Sequence, residues 1–334
     1  MHLLVVAISF PSPEFPLALP FIGEQVKALC NHVERITVLS PTTYVPSFIK
    51  GIPRVARQAS LPSRYELVPG RCEVLFPRYI KAPGDFLQGW TVAHWRRIVR
   101  RTVNQFRESC PVSIIHANAG SVSSWASICV AKQFGLPCVI TYQGGEVNQI
   151  LAKQQTGWKL CRDSFRLADV NLCVSKQIEN TLKEYAQPTG RCEVILRGVD
   201  QTRFFPSDAL TDDASVLFVG RLQKEKGIFD LIHAWKEVKS LCPNAVLTVV
   251  GQDYSDGKVA KLANSLGSQA GIQLLGAVPP SGVARLMRQA RVFCLPSYAE
   301  GTPNVVMEAM SSGLPIVSTK VGGIPDIVKD QVRG

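Results

Sequence analysis

Short apolar runs alternate with longer amphipathic stretches along the first half of the chain. The apolar runs predict buried strands, and the stretches with a 3.6-residue period predict helices. We predict strands at residues 3–10, 35–39, 72–76, 113–116, 138–142 and 170–174, and helices at 24–31, 92–107, 122–134 and 175–185. Strands that alternate with helices in this way are typical of a mostly parallel sheet covered on both faces.

The second half repeats the pattern. Strands are predicted at residues 215–219, 245–250, 272–275, 292–295 and 316–318, with helices that begin near Gly227, Gly257, Ser281 and Pro303. A chain of 334 residues exceeds the usual size of one hydrophobic core. We therefore predict an α/β protein of two Rossmann-like domains, at residues 1–193 and 214–334. The linker is placed at 194–213, where two phenylalanines and a proline precede a polar run.

Composition indicates an ordered globular protein. Hydrophobic residues make up 46% of the chain and charged residues 19%, and no apolar run approaches the length of a membrane-spanning helix. The apolar start lacks a basic leader, which favours a first strand over a secretion signal. Ten cysteines are scattered without a Cys-x-x-Cys pair. They are typical of reduced thiols in a cytoplasmic protein and do not indicate a metal site.

The net charge of +11 is concentrated in one segment. Residues 50–107 hold twelve Lys or Arg and three Asp or Glu, whereas residues 201–334 hold fourteen and twelve. The basic segment includes Lys50, Arg54, Arg57 and Arg64 and a predicted helix that carries four arginines beside tryptophans. It suits an anionic membrane surface at the inner face of the membrane. The alternative is a solvated basic face; nucleic acid is not expected, because no recognition module accompanies the charge.

The stretch 291–321 carries the most informative pair of residues, Glu300 and Glu308. A buried strand leads to a helix predicted from about Pro303 to Ser312, with Thr302 as its cap and Pro303 at its first position. This helix is apolar nearly all round except at Asn304 and Glu308, which share a face. A carboxylate there needs a partner, which is either a polar ligand or a nearby Lys or Arg.

The motif around these acids resembles that of glycosyltransferase family 4, the glycosyl transferases group 1. Ser297-Tyr-Ala-Glu-Gly-Thr-Pro-Asn-Val-Val-Met-Glu-Ala309 follows the Ser-x-x-Glu-Gly-x-Pro-x4-Glu-Ala frame, and Val321-Gly-Gly-Ile-Pro-Asp326 continues it with Asp in place of the usual Glu. The resemblance implies the GT-B fold, in which two domains face each other across a cleft. It also implies that Glu308 holds the ribose of a nucleotide sugar and Glu300 contacts the transferred sugar. The other donor-binding residues implied are Gly220, Gly301, Thr302, Pro303 and Asn304.

A second motif, Gly220-Arg-Leu-Gln-Lys-Glu-Lys-Gly227, is similar to the family's strand-to-helix turn. Arg221 and Lys226 are expected to face a diphosphate, the alternative being a basic loop without a ligand. Together with Glu300 they are the residues assigned to catalysis. Because the chain has no Asp-x-Asp, we expect neither a metal nor another cofactor, and the leaving diphosphate is stabilised by these cations. The resemblance implies retaining transfer without an enzyme nucleophile.

The acceptor side is assigned to the first domain, and the acceptor to a glycan or lipid-linked molecule. Gln143 and Glu146 stand where the family usually has His and Asp. They are expected to line the cleft with Gly144, Asn118 and Gly23, the last in a loop from Phe10 to Gln25. His116 is interpreted as a structural residue.

Three further expectations follow from the resemblance. Leu196 and Arg197 depart from the family's Pro-Asn-Gly-Val-Asp turn and are interpreted as loop variation. The chain stops soon after Asp326, where the family continues through further helices, so the second domain is expected to be truncated at its C-terminal end. A sugar-nucleotide 2-epimerase of the same fold and a non-catalytic sugar-nucleotide-binding subunit are the alternative functions.

Overall fold

The computed structural model describes residues 1–16, 18–46, 58–80, 88–207 and 214–330. The chain divides into two compact units, Met1–Ile195 and Leu196–Gly334. The strands of the first unit are β1 His2–Ala7, β2 Arg35–Leu39, β3 Thr42–Thr43, β4 Arg64–Val68, β5 Cys72–Leu75, β6 Arg78–Tyr79, β7 Val112–Asn118, β8 Cys138–Tyr142, β9 Val170–Cys173 and β10 Arg191–Val194. Its helices are α1 Pro20–Leu29, α2 Gln88–Gln105, α3 Val122–Phe134, α4 Trp158–Leu167 and α5 Lys176–Tyr185.

Eight of these strands form one sheet in the order β10-β9-β8-β7-β1-β2-β5-β4, while β3 and β6 form a separate pair. Every pairing in the large sheet is parallel except that of β4 with β5. Successive residues of β1 alternate between two cores, with Leu4 and Val6 in one and Leu3, Val5 and Ala7 in the other. The sheet is therefore buried on both faces, as its continuous apolar strands predict.

The second unit contains one parallel sheet of five strands. They are β11 Ser215–Val219, β12 Val246–Val250, β13 Ile272–Gly276, β14 Val292–Leu295 and β15 Ile316–Ser318, in the order β13-β12-β11-β14-β15. The helices are α6 Ile228–Leu241, α7 Lys258–Ser265, α8 Pro280–Gln289, α9 Asn304–Ser311 and α10 Ile324–Ile327. Their apolar faces close a single core around Trp235, Phe218 and Phe293.

The α/β fold class is confirmed, and the differences lie mainly at the edges of elements. Strands β4 and β10, at the two edges of the large sheet, were not predicted from the sequence. Both mix charged and apolar residues, because an edge strand is only partly covered and does not need a continuous apolar run. The short pair β3 and β6 and helix α4 were also missed.

From Leu196 onward, the described part of the segment predicted as a linker belongs to the second unit. The division falls between Ile195 and Leu196, and Phe204 is buried in the core of the second unit. Residues 208–213 of that segment lie outside the described residues. None of the described helices is both long and apolar enough to cross a lipid bilayer.

Candidate functional site

The candidate site of the second unit lies where its strand order reverses. β11 is flanked by β12 on one side and by β14 on the other, so the connections that leave β11 and β14 run to opposite sides. Ligands of open α/β sheets bind at such a position, outside the carboxyl ends of the strands. The Gly220–Gly227 turn follows β11 and the Pro296–Pro303 loop follows β14, so topology places the two sequence motifs side by side.

Glycines allow these loops to approach each other closely. Gly227 has φ +67° and a Cβ there would lie 1.9 Å from the carbonyl oxygen of Pro296. Gly322 has φ +60° and a Cβ would lie 2.1 Å from the carbonyl oxygen of Glu300. Each position therefore requires glycine for both its backbone conformation and its contact. The turn after β11 and the loop after β14 are held together with little freedom to shift.

Lys226 and Glu300 form an ion pair at the junction of these loops. The Lys226 Nζ lies 2.6 Å from the Glu300 Oε1, and the Ser297 hydroxyl donates to the same oxygen at 2.6 Å. The lysine belongs to a 3₁₀ turn at Lys224–Lys226, and the carboxylate is buried. The pair brings together two residues that were assigned to catalysis separately. Ser297 was quoted only as part of the motif frame, yet it helps to fix the carboxylate.

Arg221 occupies a different environment from Lys226. Its side chain is exposed, with the guanidinium 6.0 Å from the centre of the Tyr254 ring. Gly220, just before it, contacts Gly251, where a Cβ would lie 1.7 Å from the Gly220 carbonyl oxygen. The start of the turn is thus fixed against the end of β12, while the cation after it faces solvent.

Glu308 lies on α9, partly buried among apolar residues. Its carboxylate forms neither a hydrogen bond nor an ion pair with any residue in the described part of the chain. Burial raises the pKa of Glu308 to about 7, and the positive charge of Arg203 acts against this rise. The sequence left two partners open for this acid, a cation or a ligand. The structure pairs the other acid, Glu300, with a lysine and leaves Glu308 without an ion-pair partner.

The start of α9 differs slightly from the predicted helix. The helix runs from Asn304 to Ser311, and Pro303 occupies the cap position with extended φ and ψ, so the prediction of Pro303 at the first helical position is wrong by one residue. Thr302 and Pro303 are buried and Gly301 is partly buried. Asn304 accepts a hydrogen bond of 3.0 Å from the Arg197 guanidinium. Arg197, interpreted from sequence as loop variation, therefore contacts the beginning of the helix.

In the first unit, Asn118 and Gln143 meet at the ends of two neighbouring strands. Asn118 closes β7 and Gln143 follows β8, and the Gln143 Nε2 donates to the Asn118 Oδ1 at 3.0 Å. The Asn118 Nδ2 is buried and has no hydrogen-bond partner among the described residues. Ala119 has φ +74°, a conformation that non-glycine residues rarely adopt. The amide that replaces the family's His thus forms a side-chain pair that a sequence motif alone does not show.

Glu146 is the first residue of a short π-helix, Glu146–Leu151, that follows this pair. It is buried, and its Oε1 accepts the backbone N–H of Gln143 at 2.5 Å. Burial raises the pKa of Glu146, whereas hydrogen bonds from the backbone of Gln143, Gly120 and Gly144 act against that rise. Gly144 has φ +118°, which favours glycine. In this structure the carboxylate is directed to the backbone of its own unit.

Gly23 and His116 of the first unit lie in surroundings that indicate structural roles. Gly23, expected in a loop, lies inside α1, where a Cβ would come 3.0 Å from the Cγ of Pro11. The helix begins earlier than predicted because Pro20 provides a pre-organised first turn. His116 is buried and its Nε2 lies 2.8 Å from the Thr141 hydroxyl. Burial lowers the pKa of His116 to about 4, so the ring is neutral near pH 7.

Helix α2 carries four arginines of the basic segment. Its apolar residues Trp95, Val99 and Val103 are buried in the core of the first unit. Its arginines are exposed and form what we call the arginine face, which consists of Arg96, Arg97, Arg100 and Arg101. Arg64 is exposed on β4, and Lys50, Arg54 and Arg57 lie outside the described residues. The core thus covers these three apolar residues, whereas Trp90, near the start of the helix, is 51% exposed.

The two α/β units, each with polar residues at the carboxyl ends of its central strands, agree with the GT-B fold of glycosyltransferases. The model for glycosyltransferase family 4 matches residues 53–203, and the model for glycosyl transferases group 1 matches residues 200–334. The chain belongs to this family, and it is an enzyme of the group 1 glycosyltransferases. The resemblance inferred from the Glu300 and Glu308 motif is therefore confirmed.

Relatives support the same family over nearly the full chain. TuaC of Bacillus subtilis, assigned to teichuronic acid biosynthesis as a glycosyltransferase, is 29% identical over an alignment that covers 98% of this chain and 83% of the relative. The D-inositol 3-phosphate glycosyltransferase of Segniliparus rotundus is 31% identical, over 58% of this chain and 46% of the relative.

Solved structures show the same fold at low sequence identity. Sucrose-phosphate synthase from Thermosynechococcus elongatus aligns with a TM-score of 0.73 and 20% identity, covering 98% of this chain and 84% of that protein. Anabaena HepE in complex with UDP-glucose aligns with a TM-score of 0.66 and 17% identity, covering 99% and 84%.

Proposed function

We propose that this enzyme transfers a glycosyl group from a nucleotide-sugar donor to a glycan or lipid-linked acceptor, in the synthesis of a polysaccharide or glycolipid. The observation that carries the proposal is the arrangement at the carboxyl ends of β11 and β14. There a fixed Lys226–Glu300 pair, an exposed arginine and a carboxylate that pairs with no described cation share one switch point. Structures of similar fold hold UDP and UDP-glucose, which supports a nucleotide sugar as donor.

Each polar group of the second unit suits one part of such a donor. Lys226 and Arg221 carry the positive charge that a diphosphate requires, and both precede the N-terminus of α6. The Glu308 carboxylate suits ribose hydroxyls, because an ionised acid accepts two hydrogen bonds from a vicinal diol. Glu300, held by Lys226 and Ser297, suits the hydroxyls of the transferred sugar.

We further propose that transfer proceeds with retention of configuration and without a metal ion. The acceptor oxygen bonds to the anomeric carbon on the face from which the diphosphate departs, as the bond between that carbon and the diphosphate breaks. The acceptor proton passes to the departing diphosphate oxygen. Lys226 and Arg221 stabilise the negative charge that develops there, which is the electrostatic contribution most often dominant in catalysis.

The first unit is proposed to hold the acceptor, and the arginine face to hold an anionic membrane surface at the cytoplasmic side. The four arginines lie within two turns of α2 and are exposed together. Lys and Arg near an anionic bilayer contribute about 1 kcal/mol each. Because Trp95, Val99 and Val103 of α2 are buried in the core, this association would be mainly electrostatic, with the exposed Trp90 as the aromatic side chain of α2 that faces solvent.

A thermal-shift screen of nucleotide sugars tests the donor assignment. One donor is expected to raise the melting temperature of the wild type, and Glu308→Gln is expected to lose that rise. Glu237→Gln, which removes an exposed carboxylate on α6, is the matched control and should keep it. Transfer from that donor to a sugar acceptor, with the anomeric configuration of the product determined by NMR, tests the reaction. Binding without any transfer would overturn the catalytic proposal, and an inverted product would overturn retention.

A further inference from the structure

A cavity of about 310 Å³ lies in the first unit, at the carboxyl ends of β1, β2 and β7. Ile8 lines it directly after β1, Pro41 after β2, and Ser121 after β7. β1 stands between β7 and β2 in the sheet, so this is the switch point of the first unit. Its size falls at the lower end of the roughly 300–1,000 Å³ that small-molecule sites span, and its position is where open α/β sheets bind ligands.

The described part of the cavity wall is largely polar and carries no charged side chain. Of the described residues that line it, three are apolar and the other eight carry hydroxyl, amide or indole groups; none carries a charge. Helix α2 contributes Gln88, Thr91 and Trp95 to the wall, although the same helix presents the arginine face to solvent. Charge is therefore abundant on this helix but absent from the side that lines the cavity.

Two polar atoms on residues of the wall lack partners. Trp95 is 4% exposed, and its indole Nε1–H donates to no group in the described part of the chain. The Oε1 of Gln58 is also buried and accepts no hydrogen bond from any described residue. One is a donor without an acceptor and the other an acceptor without a donor. Buried polar groups are nearly always satisfied, so an unused donor and an unused acceptor on two residues of one wall favour a polar ligand here.

The chemistry of these two atoms restricts the ligand. A hydroxyl group both donates and accepts, so a ligand with several hydroxyls can satisfy Trp95 and Gln58 together. A carboxylate or phosphate offers only acceptors, and the described wall supplies no cation for it. An alkyl chain would leave the hydroxyl and amide groups of the wall unsatisfied. The edge-to-face pair of Tyr79 and Trp95, with ring centres 6.1 Å apart, adds an apolar surface suited to the C–H face of a sugar ring.

We propose that this cavity binds an uncharged sugar ring of the acceptor. The inference rests on the proposed transferase function and specifies the class of acceptor. The expected acceptor thus presents a neutral saccharide to the first unit, even where the remainder of the molecule is anionic.

Binding is tested on the full chain with neutral methyl glycosides and with the corresponding methyl uronates, by ligand-observed NMR. Neutral glycosides should bind the wild type and the uronates should bind more weakly. Trp95→Phe removes the unpartnered N–H and should weaken binding about three- to tenfold, the effect of one neutral hydrogen bond. Thr91→Val is a second, nearly isosteric variant. The matched controls are Trp158→Phe and Thr102→Val, which lie in the same unit but do not line the cavity, and neither should change binding.

Kinetics separate this inference from the proposed function. In transfer assays Trp95→Phe should raise the KM for a neutral acceptor by the same three- to tenfold, with the KM for the donor unchanged. The inference is overturned if Trp95→Phe behaves like Trp158→Phe, or if uronates bind as tightly as neutral glycosides. If no nucleotide sugar is consumed at all, the proposed function fails, while the NMR comparison still decides whether the cavity binds sugars.

Discussion

The Glu308 carboxylate is expected to lower the free energy of unfolding of the enzyme, although the proposed donor binds to it. The carboxylate is partly buried in α9 and has no ion-pair partner among the described residues, and burial raises its pKa from 4.5 to about 7. Each unit of pKa corresponds to about 1.4 kcal/mol, so the ionised form is destabilised by at most about 3 kcal/mol in the folded state. Glu308→Gln keeps the shape of the side chain and removes the charge.

The sign of the effect follows from proton binding. Because the pKa is higher in the folded state, the folded protein binds more protons than the unfolded chain between about pH 4.5 and 7. The free energy of unfolding of the wild type therefore falls as the pH rises through this window, and the loss is complete above about pH 7. The glutamine variant lacks this contribution. It should be about 1–3 kcal/mol more stable than the wild type at about pH 8, and nearly equal to it at about pH 4.5.

Urea unfolding at both pH values measures the difference, and Glu237→Gln controls for the removal of an exposed acid. Glu308→Gln should also lose about 10- to 100-fold in donor affinity, because hydrogen bonds to a charged group contribute about 1.5–3 kcal/mol. If Glu308→Gln is more stable at neutral pH yet binds the donor more weakly, the Glu308 carboxylate contributes to donor binding and not to stability. A stability gain of equal size at both pH values, or none at about pH 8, would refute the reasoning.

Other changes test other parts of the structure. Lys226→Met should reduce transfer by more than about tenfold and destabilise the second unit by about 2–4 kcal/mol, because it leaves a buried carboxylate without its cation. Lys224→Met, on an exposed neighbour, is the control. Equal turnover of the two variants would contradict a role for the pair. Glu146→Ala should lower the free energy of unfolding in urea by about 2–4 kcal/mol, since several backbone N–H groups lose their acceptor. Glu184→Ala, at an exposed site of α5, is the control and should stay within about 0.5 kcal/mol of wild type. A similarly small effect of Glu146→Ala would count against its role in holding this backbone. Addition of EDTA should leave the transfer rate unchanged, and a loss that Mg²⁺ or Mn²⁺ restores would disprove metal independence. Replacing the four arginines of the arginine face by serines should abolish sedimentation of the protein with vesicles of anionic lipid at low salt. Neutral vesicles should bind neither the variant nor the wild type. Wild-type binding that persists at about 1 M salt would show that membrane binding does not depend on charge.

Much of the fold could be predicted from local sequence. Strands at residues 35–39, 138–142, 215–219, 292–295 and 316–318, and the helix at 122–134, coincide with the structure because these elements are buried and read as unbroken apolar or periodic runs. The edge strands β4 and β10 have no such run, since one side of each has no neighbouring strand. Fixed loop motifs identified the family, although loops are the least regular part of the chain.

The contacts within the site could be predicted less well, because they join residues far apart in sequence. Lys226 and Glu300 are 74 positions apart, and Arg197 and Asn304 are 107 apart. The spacing within each motif placed the residues at strand ends, but it contained no information about which cation pairs with which acid. The sequence also placed arginines beside tryptophans for a membrane surface, whereas the core of the first unit covers Trp95 and leaves Trp90 exposed.

The different roles proposed for Glu300 and Glu308 follow from one physical difference between their surroundings. Glu300 is the more buried of the two, and an ionised carboxylate there requires a permanent partner, which Lys226 and Ser297 provide through the same oxygen. Glu308 is largely buried and has no such partner in the part of the chain that the structure describes, so its ionised form is unfavourable until a polar ligand reaches it. An acid with fixed partners holds one geometry, which suits contact with the sugar being transferred. An acid without them gains most from a ligand, which suits the capture of the donor.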